Sequence, residues 1–535
     1  MLLSAKLNLF INSAYLFLGL TIGIWPTQLI SQNNSPSYQH DFLHLIEKES
    51  SSIEHSALKP YRSKTFYSIS DSLNNRFKTD SNNLLNKDIF NKHLVKLEEE
   101  KSTFWISPIM DLSITSDLNS ADVFWYNQRG LQFQLNIDDR IRVESKVIES
   151  YFQLPEHLHA FAMNNSIVPE LGRFKHYGQK KIFDITNAMG WIEYQALPYF
   201  KIELGHDKHF WGEGYRSMFL SDAPFYYPYL KLTTDFGKVR YINLYASHQD
   251  INFKIPGAGV FGRKYAASHI LSWEINKNWN LGFFESIVWG DSLDMRKFDL
   301  NYINPVIFYR PIEYSLGSDG GNAMLGSFLT YRFKKKNKIY AQFLLDDLKF
   351  NEWKKFNGWW KNKYAFQLGL KCFDILNSGL SYRLEINWAL PYTYSHFSGI
   401  MNYGHFNQSL AHPYGANFRE SVLILRYNHE RFEAKIHFAK TIIGLDPDGE
   451  NWGQNIYNMN SNYEQSYGNH IGQGLNSYFN YLKGELSYIL NPSYNLRFIV
   501  GYELNQLHNE NINNTRQHVY VGLRTNAINK YMDFF

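Results

Sequence analysis

"LSYRLEINWAL", residues 380–390, decides how the rest of the chain is read. Leu380, Tyr382, Leu384, Ile386, Trp388 and Leu390 alternate there with Ser381, Arg383, Glu385, Asn387 and Ala389. A period of two is that of a β-strand, whose successive side chains point to opposite faces, so one face is apolar and the other charged. "KYAFQLGLKCF" (363–373), "RFEAKIHFAK" (431–440), "YLKGELSYIL" (481–490) and "NLRFIVGYEL" (495–504) repeat the pattern. Each is about as long as a tilted strand needs to cross a bilayer, roughly 10 residues.

Composition agrees. Aromatic residues make up 17% of the 535-residue chain, yet its mean hydropathy is −0.39, that of a polar protein. A membrane β-barrel reconciles the two values, because only alternate strand residues face lipid and aromatic girdles lie at its interfaces. The net charge of +4 leaves no footprint for nucleic acid. Cys372 is the sole cysteine, which excludes an internal disulfide framework.

Connection lengths test the barrel independently, since such barrels have short turns at one end and long loops at the other. Working back from the carboxyl end, the connections near 506–517, 441–476, 391–418 and 348–362 read as long. Those near 491–494, 428–431, 374–379 and 334–337 read as short, and a soluble all-β enzyme has no reason to keep that alternation. "NYINPVIFYRPIEYSLGSDGGN" (301–322) resembles a strand in composition, but Pro305 and Pro311 remove ladder donors; it is assigned to an external loop able to fold into the lumen. With "IDD" (137–139) as a tight turn, the expectation is an all-β, closed antiparallel transmembrane barrel of about 18 strands over residues 101–535, with a small N-terminal helical region. The terminal aromatic Phe535 fits a closing barrel strand.

Residues 1–32 have the order of a signal peptide, Lys6 preceding "LNLFINSAYLFLGLTIGIW", with an uncleaved helical anchor as the alternative. The expected location is the outer membrane of a diderm bacterium. Residues 33–100 are polar, with Ile89, Phe90, Leu94 and Leu97 at helical spacing, and read as a helical or partly disordered periplasmic or plug region.

One run remains, "GHDKHFWGEGYRSMFLSDAPFYYPYLKL" (205–232). His206, Asp207, His209, Glu213 and Asp222 would suit a metal site, an acid/base pair or a hydrogen-bonded loop equally well. Strand parity puts residues 209–228 on the external side or in the mouth. There Gly212 and Gly214 let the backbone turn beside Trp211, and Arg216, Ser217, Ser221 and Asp222 supply hydrogen bonds. His206 and His209, three apart at a strand end, point to opposite faces, and "DPDGEN" (446–451) lacks the later glutamate of a calcium loop. No catalytic residue, metal site or cofactor is expected, and Glu213→Gln should be mild if the residue is only a loop partner.

This run, with "INPVIFYRPIEYSLGS", "LAHPYGANFRE" and "GLRTNAINKYMDF", resembles the capsule assembly Wzi family of outer-membrane barrels, and within it the RemB-like branch of gliding bacteria. The resemblance covers residues 100–535, and the block from Trp211 to Ser221 carries it most specifically. It implies a lectin-like barrel that organises or retains surface polysaccharide, with a role in gliding motility or surface attachment. Its partners would be membrane lipid, surface polysaccharide and gliding or secretion machinery. A diffusion channel, or an adhesin acting through protein partners, is the alternative. Aromatic residues among amides in the long segments are the expected sugar contacts: Trp452, Tyr457, Tyr463, Tyr392, Tyr394 and Tyr403.

Overall fold

The computed structural model describes residues 39–534, except 50–53, 63, 78–91, 256–258, 291–297, 306–307, 318–319, 335 and 526–527. The signal-like start, Ile89, Phe90 and Phe535 lie outside the described residues. Eighteen antiparallel strands close into one barrel. The first nine are β1 (Ser102–Asp117), β2 (Val123–Ile137), β3 (Ile141–Gln153), β4 (Ile182–Leu197), β5 (Phe200–Asp207), β6 (Tyr227–Phe236), β7 (Val239–Lys254), β8 (Phe261–Glu274) and β9 (Trp279–Gly290). The second nine are β10 (Asn322–Phe333), β11 (Asn337–Asp347), β12 (Lys363–Cys372), β13 (Leu380–Ala389), β14 (Phe418–His429), β15 (Phe432–Leu445), β16 (Leu475–Asn491), β17 (Leu496–His508) and β18 (Asn513–Arg524). β18 pairs with β1, His518 opposite Asp117 and Arg524 opposite Asp111, and so seals the wall.

The alternation read in 380–390 is the alternation of the wall. Leu384 and Ile386 face outward, 44% and 38% exposed, while Arg383, Glu385 and Asn387 turn into a closed interior. The turns at 138–140, 198–199, 237–238 and 430–431 gather at one end, and the longer connections at the other. One length differs from expectation: β17 and β18 are joined by residues 509–512 alone, because both strands run on through polar residues that alternation did not mark as strand. Leu97 belongs to a strand, Val95–Glu98, paired with β1, not to a helix.

The described N-terminal helices lie inside the wall. Helix α1 (His40–Glu49) is buried along nearly all its length, Asp41 pairing with Arg426 of β14 and with Lys435 of β15 at 2.8 Å, and Glu47 with Lys371 of β12 at 3.0 Å. Helix α2 (Lys64–Arg76) packs against it through Phe66 and Leu73.

The described residues of the connection between β9 and β10 do not enter the lumen. Tyr245 stands opposite Leu230 and Ala267, and Leu230 opposite the exposed Leu204, so Tyr245 and Ala267 face outward. Tyr302 and Tyr309 pack on that outward surface, against Tyr245, Ala267, Ile287 and Trp289. The reason is polar. Glu285 and His269, opposite each other on β9 and β8, also face outward, and the folded-back segment satisfies them: Phe308 N–H and Tyr309 N–H donate to Glu285, and the Tyr309 hydroxyl meets His269 Nε2. Helix α3 (Arg310–Leu316) completes this strap.

The carboxyl terminus also departs from expectation. β18 ends at Arg524, and the chain then turns inward, burying Tyr531 and Asp533. "TNAINKYMDF" has no apolar alternation that would hold it in the wall.

Inside the wall, Gly282 of β9 lies opposite Phe328 of β10, and a Cβ at 282 would sit 1.9 Å from the Phe328 ring. Gly282→Val therefore should cost about 1–3 kcal/mol by overpacking. A lower urea midpoint for the folded barrel checks this, and Leu329→Val on the exposed outward side should be milder.

Candidate functional site: the filled lumen and the cavity above it

The chain leaves the wall after Asp207 and rejoins it at Tyr227, and residues 208–224 between are buried throughout. This run is not at the mouth. It descends into the lumen, because its partners are inward side chains near the short-turn end. Glu213 pairs with Lys371 at 3.1 Å and Lys338 at 3.6 Å and accepts from the Ser56 hydroxyl. Phe210 and Trp211 form a two-residue ladder with Leu58 and Lys59, stitching the N-terminal segment to the loop.

Irregular backbone inside a barrel must find a partner for every N–H and C=O. Gln342 of β11 supplies two: its Nε2 donates to Trp211 O at 2.9 Å and its Oε1 accepts from Met218 N–H at 2.9 Å. Ser217 Oγ donates to Trp211 O at 2.6 Å, and the Ser221 hydroxyl to Ala411 O. Glu385 accepts Tyr215 N–H at 2.8 Å and Arg216 N–H at 3.1 Å. Gly214 is glycine because a Cβ there would stand 2.5 Å from Glu385 Oε2. Trp211 is 1% exposed and meets Phe284 edge-on at 6.0 Å, while Phe219 stacks on the same ring at 4.7 Å.

Arg216 is the junction. Its guanidinium donates to Glu420 of β14 at 3.0 Å and lies 2.9 Å from Asp533 of the C-terminal tail. His412 Nε2 meets the other oxygen of Glu420 at 2.8 Å. Loop, wall, tail and the 390–417 segment thus converge on one cation. A second junction lies beside it: Asp222 accepts from Asn529 and from the Tyr531 hydroxyl, both at 2.6 Å. Tyr531 N–H donates to Glu170 at 2.9 Å, and the Tyr531 hydroxyl meets His40 of α1 at 2.5 Å.

Burial sets the acid–base state of these groups. It pushes the Glu170 carboxyl up to about 8 against the pull of Lys208, and it raises Asp222. For Glu213 burial also acts upward, but Lys338 and Lys371 outweigh it and hold the carboxyl well below the usual range. Lys59 is brought down to about 7 by burial and by nearby Lys371.

The residues singled out in the sequence separate into two groups. His209, Trp211, Gly212, Gly214, Arg216, Ser221 and Asp222 come together in the lumen core, whereas His206 faces the wall's outer side with Nδ1 at Ala188 O, 3.1 Å. Asp207 accepts the N–H of Lys208. Among the described residues no three His, Cys, Asp or Glu side chains are grouped to hold a metal ion. Asp446 uses its carboxylate on the backbone N–H groups of Trp452, Gln454 and Asn455, which explains "DPDGEN" as a loop turn. Sequence reasoning missed Glu385, Glu420, Lys371 and Gln342; the signal for them was their charge or amide at inward positions of period-two strands.

Above the plug, at the long-loop end, lies a cavity of about 350 Å³. Tyr414, Tyr457, Phe479 and Phe534 give it aromatic walls, and Asn407, Gln408 and Gln454 give it amides. Asn407 Oδ1 and Gln408 Oε1 are buried and have no partner among the described residues. Of the expected sugar contacts only Tyr457 lines this cavity; Trp452 packs on Gly474, and Tyr463 stacks on Trp360 at 4.3 Å. Tyr392, Tyr394 and Tyr403 are at most 1% exposed, so they are packing residues of the loops and not surface contacts. Their hydroxyls explain part of that placement: Tyr392 donates to Asn451 O at 2.7 Å and Tyr394 to Met218 O at 2.9 Å.

No family model matches the chain, and no curated protein matches it. Among solved structures it is similar to Wzi of Escherichia coli, described as an outer-membrane protein involved in group 1 capsule assembly and a carbohydrate-binding β-barrel. The identity is 12%, over 78% of this chain and 83% of that one, with a TM-score of 0.49. It is also similar to Pseudomonas aeruginosa OprD (9% identity, 81% and 98% covered, TM-score 0.43) and OccK1 (8%, 79% and 98%, 0.42).

Removing one partner of a buried ion pair leaves its mate uncompensated, at about 3–5 kcal/mol. Arg216→Met should therefore loosen the tail and loop, read as faster proteolysis of the tail. Glu213→Gln, expected from sequence to be mild, should instead lower stability, since Lys371 and Lys338 then share only Glu47. For Glu170 the sign follows from proton linkage: a carboxyl with a raised folded-state pKa binds more protons when folded, so its contribution to stability falls as pH rises. The window runs from 4.5 to about 8. Glu170→Gln keeps an acceptor for Tyr531 N–H and should flatten the decline, measured as unfolding midpoints at pH 5 and above 8.

Proposed function

We propose that this protein is an outer-membrane barrel that binds surface polysaccharide at its long-loop end and holds it on the cell, without catalysis. In a gliding host that retention would serve movement over surfaces. The cavity at the loop end carries the reading: aromatic faces pack on the apolar faces of sugars, and a few amides fix the hydroxyls. Asn407 Oδ1 and Gln408 Oε1, buried and unpaired, are acceptors awaiting donors, and sugar hydroxyls are donors of that kind. The apolar outward band, with Leu204 and Ile192 exposed, supports the membrane placement. The sequence resemblance to the Wzi family points the same way, while the densely paired lumen counts against a diffusion channel.

Tyr457→Ala combined with Gln454→Ala should abolish binding of the purified barrel on a glycan array while leaving the shift between boiled and unboiled gel bands intact. A deletion strain should make its polysaccharide but release it into the medium, and spread less on agar. Normal retention in that strain would sink the proposal, and steady conductance in planar bilayers would install the channel in its place. An epitope at Gly449 should be reached by antibody on intact cells and one at Gly237 should not, since these open positions lie at opposite ends.

A further inference from the structure

Beside the strap, the outward face of the wall carries a groove of about 1070 Å³. The wall side presents Ile192, Leu204, Leu230 and Leu232, and the strap side Ile303 and Pro305. Polar atoms at its edge are already used: the Tyr245 hydroxyl donates to Ile303 O at 2.8 Å, and the Tyr241 hydroxyl to Pro305 O. With Glu285 and His269 capped beneath the strap, the groove offers hydrocarbon surface and almost nothing else.

We propose that this groove holds an acyl chain of a phospholipid from the leaflet beside the short turns. The inference rests on the membrane placement proposed above. Height selects the leaflet. Val143 is the third residue of β3, and Leu204 and Leu232 stand four residues from the short-turn ends of β5 and β6. At about 3.3 Å per residue these three lie within roughly 15 Å of that edge along tilted strands, in the nearer half of an apolar band about 25 Å tall, so the groove opens at its lower end to that leaflet, while Pro228 and Ser247 carry its upper end past mid-height. In an outer membrane that leaflet is phospholipid, and the far leaflet is lipopolysaccharide. Chemistry selects hydrocarbon over peptide, because an inserted peptide would bring N–H groups that find no acceptor there. The strap forms one bank of the groove, so a chain lying in it touches protein on two sides, unlike annular lipid on the bare wall.

Full-length protein extracted from outer membranes, washed in detergent and analysed by lipid mass spectrometry should retain phospholipid in near-stoichiometric amount. Ser247 also lines the groove; Ser247→Trp, or Leu232→Trp should the first fail to fold, should lower retention at least tenfold. Val521→Trp, on an exposed wall position outside the groove, should not. Phospholipid with a photoreactive acyl chain should label Leu230 and Ile303 in preference to Val521. Normal membrane placement with no retained lipid, retention of lipopolysaccharide instead, a cross-linked polypeptide, or even labelling around the wall would each overturn the groove assignment alone. Absence of the protein from the outer-membrane fraction would overturn the placement, and the occupant with it.

Discussion

Everything inside this barrel answers one requirement: charged side chains that face inward must be neutralised where water has been displaced. The wall brings Lys338, Lys371, Glu385, Glu420 and Arg426 to the interior at 3% exposure or less. An isolated charge so placed is far costlier than a paired one. The plug elements are the complement: Asp41 and Glu47 from α1, Glu213 and Arg216 from the loop, and Asp533 from the tail. Because the loop is paired with both wall and tail, and α1 pairs with the wall and reaches the tail through His40 and Tyr531, none is an independent insert. Arg216, held by Glu420 and beside Asp533, shows the logic at one atom group.

Outside, the same requirement appears in reverse. An apolar outward surface tolerates few polar groups, yet Glu285 and His269 point into it. The strap resolves the conflict by carrying its own donors to them, and in doing so creates a two-sided groove that a plain wall lacks. The loop-end cavity has a third character, neither charged like the lumen nor wholly apolar like the groove. Three environments thus follow from three faces of one sheet: inward, outward and end.

The wall was legible in the sequence because alternation is a local signal, and 380–390 states it without help from the rest of the chain. The turns at 137–139 and around Gly237 were legible for the same reason. What escaped was the path of chain that leaves the wall. Parity puts residues 209–228 on the external side or in the mouth because it tells which end a loop leaves from, not how far it travels. Depth is set by Lys371 and Gln342, more than a hundred residues away. The strap escaped because nothing in "INPVIFYRP" names Glu285 as its target, and the tail because Asp533 has meaning only beside Arg216. The aromatic residues Tyr392, Tyr394 and Tyr403 were taken for ligand contacts since composition cannot separate a tyrosine that packs from one that binds.

The tail raises a matter of competition. Residues 525–534 remain joined to Arg524 even when their contacts let go, so a released tail stays near its seat at an effective concentration on the order of mM. A soluble molecule of equal affinity for Arg216 and Asp222 would have to exceed that level to displace it. The interior is thereby reserved for the chain's own end, and exchange with small solutes is left to the cavity above.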